Sequence, residues 1–318
     1  MDFLTLALIF VALYIGWNIG ANHSANCFGT TVGAGIISYG PATLLVAIFA
    51  LIGAVMQGYN NISTVGNGIV NANLFEGIDI VAGLFGAALL ITYFTFKGLP
   101  VSTTQTVIGA IVGVGLFNNL TINWGMLRQI FFSWIATPFI AIFLAIMGYL
   151  ILSFFFGRGK FLFIEKKLRW LILLSGMFMA YSLGANNIGN SVGLIVQKGI
   201  WIPFIGALFG GIALGVGSMT FGRRVMATVG SGITELDERM AFCAQFGAGI
   251  TLYLLTMFNI PASSSHAIVG GVIGTGLVKG LAMVDRSEIF RILQGWIITP
   301  IGGAAAGVIS LMIMKLIF

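Results

Sequence analysis

Charge is what this sequence has least of. Asp, Glu, Lys and Arg make up 8% of its 318 residues, hydrophobic residues 58%, and the mean hydropathy is +1.04. Soluble domains carry roughly 25% charged residues, so this composition excludes one and describes a polytopic membrane protein. Cysteine is nearly absent. Cys27 and Cys243 form neither a metal ligand set nor a disulfide framework and read as small packing residues. A positive n-region is missing too: the chain begins Met1-Asp2-Phe3, so the first apolar run reads as a permanent span rather than a signal peptide. The net charge of +6 does not make a nucleic-acid binder, because the basic residues fall in loops between apolar runs; the expected partner is the lipid bilayer.

Apolar runs cover about 3–19, 41–58, 78–96, 103–117 and 126–156, then about 168–184, 200–219, 240–258, 266–279 and 288–317. A span needs roughly 20 apolar residues, so the fourth and ninth runs either cross or enter and return. A basic connector at 157–167 separates an N-terminal half, 1–156, from a C-terminal half, 168–318.

The halves repeat each other. Gly20-Ala21-Asn22-His23-Ser24-Ala25-Asn26-Cys27-Phe28-Gly29 lies over Gly184-Ala185-Asn186-Asn187-Ile188-Gly189-Asn190-Ser191-Val192-Gly193. Thr64-Val65-Gly66-Asn67-Gly68-Ile69 lies over Thr228-Val229-Gly230-Ser231-Gly232-Ile233. Pro100-Val101-Ser102-Thr103-Thr104-Gln105 lies over Pro261-Ala262-Ser263-Ser264-Ser265-His266, and Trp134-Ile135-Ala136-Thr137-Pro138 over Trp296-Ile297-Ile298-Thr299-Pro300. Of the 15 basic residues, only Arg128, Lys198 and Lys315 fall outside if the N-terminus is outside and every run crosses once. The positive-inside rule then places both termini outside and the 157–169 connector in the cytoplasm, in a plasma (inner) membrane. Five runs per half make the halves inverted. The expected fold is an all-α polytopic membrane protein of two inverted-topology repeats, with interrupted helices around a central anion site, as in secondary transporters.

Each repeated proline stands where a helix would begin, with hydroxyls in the first turn. A helix N-terminus offers free N–H groups and partial positive charge. Ser102, Thr103, Thr104, Ser263, Ser264 and Ser265 add donors, and two such ends facing one point suit a small tetrahedral oxyanion. Back-bonding of these hydroxyls to helix carbonyls is the bland reading, and the duplication argues against it. Asn22, Asn26, Asn186 and Asn190 offer amide oxygens that, with carbonyls freed by helix breaks, suit Na⁺, or serve as helix-packing contacts; Thr30 and Thr31 stand near them.

The duplicated Gly-Ala-Asn-x-x-Ala-Asn, Pro-x-Ser-Thr-Thr and Trp-x-x-Thr-Pro blocks resemble the inorganic phosphate transporter (PiT) family over nearly the whole chain. The resemblance implies an inverted-repeat fold, a central anion site and a homodimer. It places binding roles on Asn22, Asn26, Ser102, Thr103, Thr104, Asn186, Asn190, Ser263, Ser264, Ser265 and His266; Gln105 is the counterpart of His266. Phosphate carriers of the family have Asp where this chain has His23 and Asn187, and its bacterial branch resembles sulfate permeases. Hydrogen phosphate brings a proton that wants an acceptor, whereas sulfate only accepts. The absence of a carboxylate therefore favours sulfate, with H⁺ carried by histidine. His23, Asn187 and Thr30 are the coupling candidates. The alternative is Na⁺-coupled phosphate transport, and from another class a passive anion channel. Ser265-His266 lacks an orienting acid, so no enzyme is expected, and no cofactor beyond a coupling ion, H⁺ or Na⁺.

Overall fold

The computed structural model describes residues 2–156, 161–229, 236–280 and 286–317. Twelve α-helices occur among them: α1 (Phe3–Gly33), α2 (Tyr39–Gln57), α3 (Tyr59–Ser63), α4 (Gly77–Phe96), α5 (Thr103–Phe117), α6 (Trp124–Phe156), α7 (Phe161–Gln197), α8 (Pro203–Phe221), α9 (Arg223–Ala227), α10 (Glu238–Met257), α11 (Ser264–Lys279) and α12 (Arg286–Ile317). Eight of these are long and apolar enough to cross a membrane: α1, α2, α4, α6, α7, α8, α10 and α12. Of the expected connector, 157–160 lie outside the described residues, and α7 begins at Phe161.

The two short helices settle the fourth and ninth runs. The start of α4, at Asp79 and Gly83, packs against the end of α5, at Val114 and Ala110. So α5 runs back towards the face where α4 began, and the extended stretch 97–102 completes the return. The crossing parity of five per half is kept, and the halves are inverted. Glycines allow the close approach this needs. A Cβ on Gly20 would overlap the Leu214 carbonyl of α8, and one on Gly184 the Ala50 carbonyl of α2. Gly109 presses on Pro300 of α12, and Gly270 on Pro138 of α6. Each contact joins one half to the other, and each has a counterpart with the halves exchanged. The repeats therefore interlock into one body.

No helix break falls within the Gly-Ala-Asn motif. α1 runs unbroken to Gly33 and α7 to Gln197, with both motifs in the helix interior. Buried amides are tolerated at that depth because each finds a partner in the neighbouring hairpin. The irregular backbone lies elsewhere: in 97–102, in its counterpart before α11, and in a π-helical turn at Thr64–Gly68. Thr228 and Val229 wind the same way; 230–233 of that repeated block lie outside the described residues.

Basic side chains separate by face. Arg169 pairs with Glu238 at 3.5 Å and Lys279 with Asp237 at 2.6 Å on the face where α7 begins. On the opposite face Lys315 lies 3.6 Å from Asp79, and Lys198 Nζ donates to the Phe75 carbonyl at 2.6 Å.

Candidate functional site

The first turns of α5 and α11 meet head to head. The Thr104 hydroxyl donates to the Ala262 carbonyl at 3.1 Å, and the Ser265 hydroxyl to the Val101 carbonyl at 2.9 Å. These bonds are counterparts, so the pseudo-two-fold axis passes between them. Each helix is capped by its own serine: Ser102 Oγ accepts from the Gln105 N–H and Ser263 Oγ from the His266 N–H, both at 3.2 Å. That is the N-cap role serine favours. The remaining first-turn N–H groups face the meeting point.

Asn22 and Asn186 hold the extended segments that aim these helices. Asn22 Nδ2 donates to Thr95 Oγ1 (2.9 Å) and the Leu99 carbonyl (3.0 Å), and its Oδ1 accepts from the Val101 N–H (3.2 Å). Asn186 repeats this with Thr256 Oγ1 (2.8 Å), the Ile260 carbonyl (3.3 Å) and the Ala262 N–H (2.9 Å). Each amide thus straddles a proline, bonding the carbonyl before it and the N–H after it. Both Nδ2 protons are used, so these two asparagines position the turns and have no donor left for a cargo.

Asn26 and Asn190, one turn on, reach across the axis. Asn26 Nδ2 lies 3.2 Å from Ser264 Oγ, 3.2 Å from Ser265 Oγ and 2.8 Å from His23 Nδ1. His23 Nε2 is 2.8 Å from Thr103 Oγ1. With Asn26 donating to Nδ1, the proton sits on Nε2 and is given to Thr103. In the other half Asn190 Nδ2 donates to Thr104 Oγ1 (2.9 Å) and approaches Asn187 Oδ1 (3.3 Å), which shares the single Thr104 hydroxyl proton with the Ala262 carbonyl, each at 3.1 Å. Thr104 and Ser265 are occupied as cross-ties. Thr103 and Ser264 accept these bonds and keep their own protons, and Ser102 and Ser263 likewise accept as caps.

Of the four buried amide oxygens without a partner among the described residues, two lie here, the others being Gln57 Oε1 and Asn61 Oδ1. Asn26 Oδ1 and Asn190 Oδ1 are buried with no hydrogen-bond partner, as is Thr30 Oγ1 one turn beyond Asn26. Buried acceptors normally find partners, so these point to something that supplies a proton or a positive charge. Thr31, by contrast, accepts from Gln245 Nε2 at 2.6 Å. Among the described residues no group of three His, Cys, Asp or Glu forms, so a cation here would meet neutral oxygens.

Gln105 and His266 do not join the site. They turn outward, lining a cavity of about 700 Å³ between α6 and α12. Pro138 lacks an N–H and so leaves the Trp134 carbonyl free in α6. His266 Nδ1 lies 2.8 Å from that carbonyl. Gln105 Oε1 accepts from Thr299 Oγ1 at 2.9 Å. The Trp-x-x-Thr-Pro blocks thus anchor the short helices rather than touch the meeting point of their first turns. Cys27 and Cys243 are buried free thiols.

Sequence reasoning passed over Thr95 and Thr256, although they are counterparts in the repeat and the alignment held the signal. It also left Thr64 and Thr228 without a role. Thr64 Oγ1 donates to the carbonyl of Asn259 (φ 60°) at 3.0 Å, and Thr228 Oγ1 to that of Gly98 (φ 71°) at 2.8 Å. Each pins the turn that leads into the opposite half's proline. Gln245, bonded to the Cys27 carbonyl and Thr31, has Leu84 as its counterpart, so the repeat gave no signal for it.

Residues 19–169 and 160–310 each match the phosphate transporter family. The chain belongs to that family. A Pyrococcus abyssi relative, provisionally named a phosphate permease, is 30% identical over 405 residues, covering 100% of this chain and 99% of the relative. The chloroplastic inorganic phosphate transporter 2-1 of Arabidopsis thaliana is 25% identical over 427 residues, covering 99% of this chain and 73% of that protein. A solved structure titled the sodium-dependent phosphate transporter overlays with a TM-score of 0.92 at 24% identity, covering 100% of both chains. At that identity the overlay speaks to the fold. None of the three is named for sulfate, so the sulfate-permease expectation has no support from them.

Proposed function

We propose that this phosphate transporter family member carries inorganic phosphate across the membrane, coupled to Na⁺. The observation that carries the reading is the pair of unpartnered oxygens, Asn26 Oδ1 and Asn190 Oδ1, beside the donor-rich first turns of α5 and α11. The sequence argument for sulfate rested on the lack of an acceptor where the family has Asp. In the folded chain the acceptors are these amide oxygens. A hydrogen phosphate can give its proton to one of them, and a Na⁺ ion can take the other together with Thr30 Oγ1. Sulfate has no proton to give and leaves the first of them unsatisfied, at a cost of about 1–3 kcal/mol.

Thr103, Ser264, Ser102 and Ser263 then donate to the phosphate oxygens, with the first-turn N–H groups behind them. Asn22 and Asn186 hold the turns, and His23 fixes the Thr103 hydroxyl. The inverted, interlocked halves suit alternating exposure of one central site. The positive-inside rule puts the α7-start face, rich in Arg and Lys, in the cytoplasm. The test is uptake of labelled phosphate into proteoliposomes. An inward Na⁺ gradient should drive accumulation, and replacing Na⁺ by choline should abolish it. Accumulation driven equally well without Na⁺ would remove the coupling part of the proposal.

A further inference from the structure

The α7-start face carries a cleft of about 570 Å³ between the ends of α4 and α8 and the short α9, lined in part by Thr95, Phe96, Phe221, Arg223 and Arg224. Both arginines are exposed. Arg224 Nη1 donates to the Phe96 carbonyl at 3.0 Å, which fixes its guanidinium at the cleft wall with other N–H groups to spare. No Asp or Glu lines the cleft among the described residues. Two acids described on this face, Asp237 and Glu238, pair with Lys279 and Arg169.

The cleft leads inward. Thr95 is in its wall, and Thr95 Oγ1 accepts from Asn22, the residue that holds the segment aiming α5. Beside it Thr228 pins Gly98, the turn at the root of that segment. Phe96 and Phe221, both in its wall, meet edge to face with ring centroids 4.4 Å apart. In the other half, Tyr59 and Asn60 stand where Arg223 and Arg224 do, so the repeat relation puts the cationic pair on one face alone.

We propose that this cleft is a second, shallow anion site, in which Arg223 and Arg224 hold a doubly charged tetrahedral oxyanion at the mouth of the path to the first turns of α5 and α11. The inference rests on the phosphate-transport reading. Paired guanidinium forks match phosphate geometry, and a cationic mouth raises the local anion concentration. Positive-inside anchoring also calls for basic residues on this face, but charge alone serves that purpose. A lysine should therefore replace an arginine there without loss, whereas a bidentate phosphate contact should not survive the exchange intact. A lipid headgroup phosphate could meet the same forks, and the assay separates the two sources because only a cargo site alters transport kinetics.

The experiment uses the full chain in proteoliposomes of one known orientation, with labelled phosphate presented to each face in turn. Arg223→Ala should raise KM on the α7-start face roughly fivefold, and leave KM on the opposite face within about twofold. Arg223→Lys with Arg224→Lys should fall between wild type and Arg223→Ala, and salt at about 0.5 M should shrink all these differences. Arg224 also bonds the α4 end, so Arg223→Ala carries the test should an Arg224 variant fold poorly. Unchanged KM on both faces, equal changes on both, or full rescue by lysine would overturn the proposal. Phosphate protection of the solubilised wild type against heat is the independent control. Protection with unchanged KM in Arg223→Ala removes only the cleft site, whereas no protection removes the transport reading itself.

Discussion

The two halves agree wherever backbone must be held and diverge where side chains face the meeting point. Asn22 and Asn186 make matching sets of three hydrogen bonds, and Ser102 and Ser263 cap matching helices. Thr64 and Thr228 pin matching turns. At membrane depth a lost bond of this kind leaves a carbonyl or N–H with no water to replace it, so these positions have little freedom. The counterparts there that differ in chemical type include His23 and Asn187, and Thr30 and Leu194. An inverted repeat with identical sites would bind the same way from either side. These two differences are where one half can take a cation or order a hydroxyl that the other half does not.

The largest expected effects come from breaking what the halves share. Asn22→Ala should lose three buried bonds, about 3 kcal/mol in stability, with transport lowered at least about a hundredfold. Asn186→Ala should do the same within a factor of about three, since its bonds match. Heat denaturation and uptake measured on both variants check this, and a large inequality would mean that the hairpins are not equivalent. Next come the hydroxyls with free protons. Thr103→Val and Ser264→Ala should each weaken phosphate binding roughly tenfold, as expected for a lost hydrogen bond to a charged group, while Thr104→Val should mainly lower the melting temperature. Direct binding titrations separate the two outcomes, and loss of stability without loss of affinity at Thr103 would place the anion elsewhere. The smallest effect belongs to the outward pair. Gln105→Ala and His266→Ala should leave phosphate affinity within about twofold while costing about 1 kcal/mol each in stability. A tenfold affinity loss in either would bring that residue back into the site.

The fold was legible because its determinants are repeated. The duplicated prolines and the hydroxyls behind them announced two helix starts, although the helices begin three residues after each proline, at Thr103 and Ser264, with Ser102 and Ser263 as caps rather than first-turn residues; the basic residues announced the inversion. The site was legible as a set of residues but not as a division of labour. Asn22 and Asn26 look alike in sequence, yet one uses both ends of its amide on backbone and the other keeps its oxygen free. That distinction depends on which neighbour comes within 3 Å, and spacing along a helix does not encode it. His266 reads as a site residue from its place beside Ser265, but the first turn of α11 points it at the carbonyl that Pro138 frees. The sulfate expectation, which the relatives do not support, gave the missing carboxylates more weight than the amide oxygens, because spacing does not show which amide oxygens stay free.

The central claim is that the free oxygens of Asn26 and Asn190 make this a site for an anion that brings a proton. Competition tests it most directly. Labelled phosphate bound to purified protein in Na⁺ is displaced by unlabelled phosphate or by sulfate, and the two half-displacing concentrations are compared. The account predicts that sulfate needs at least about tenfold more than phosphate, the consequence of one unsatisfied buried acceptor. Sulfate displacing the label as readily as phosphate would contradict it.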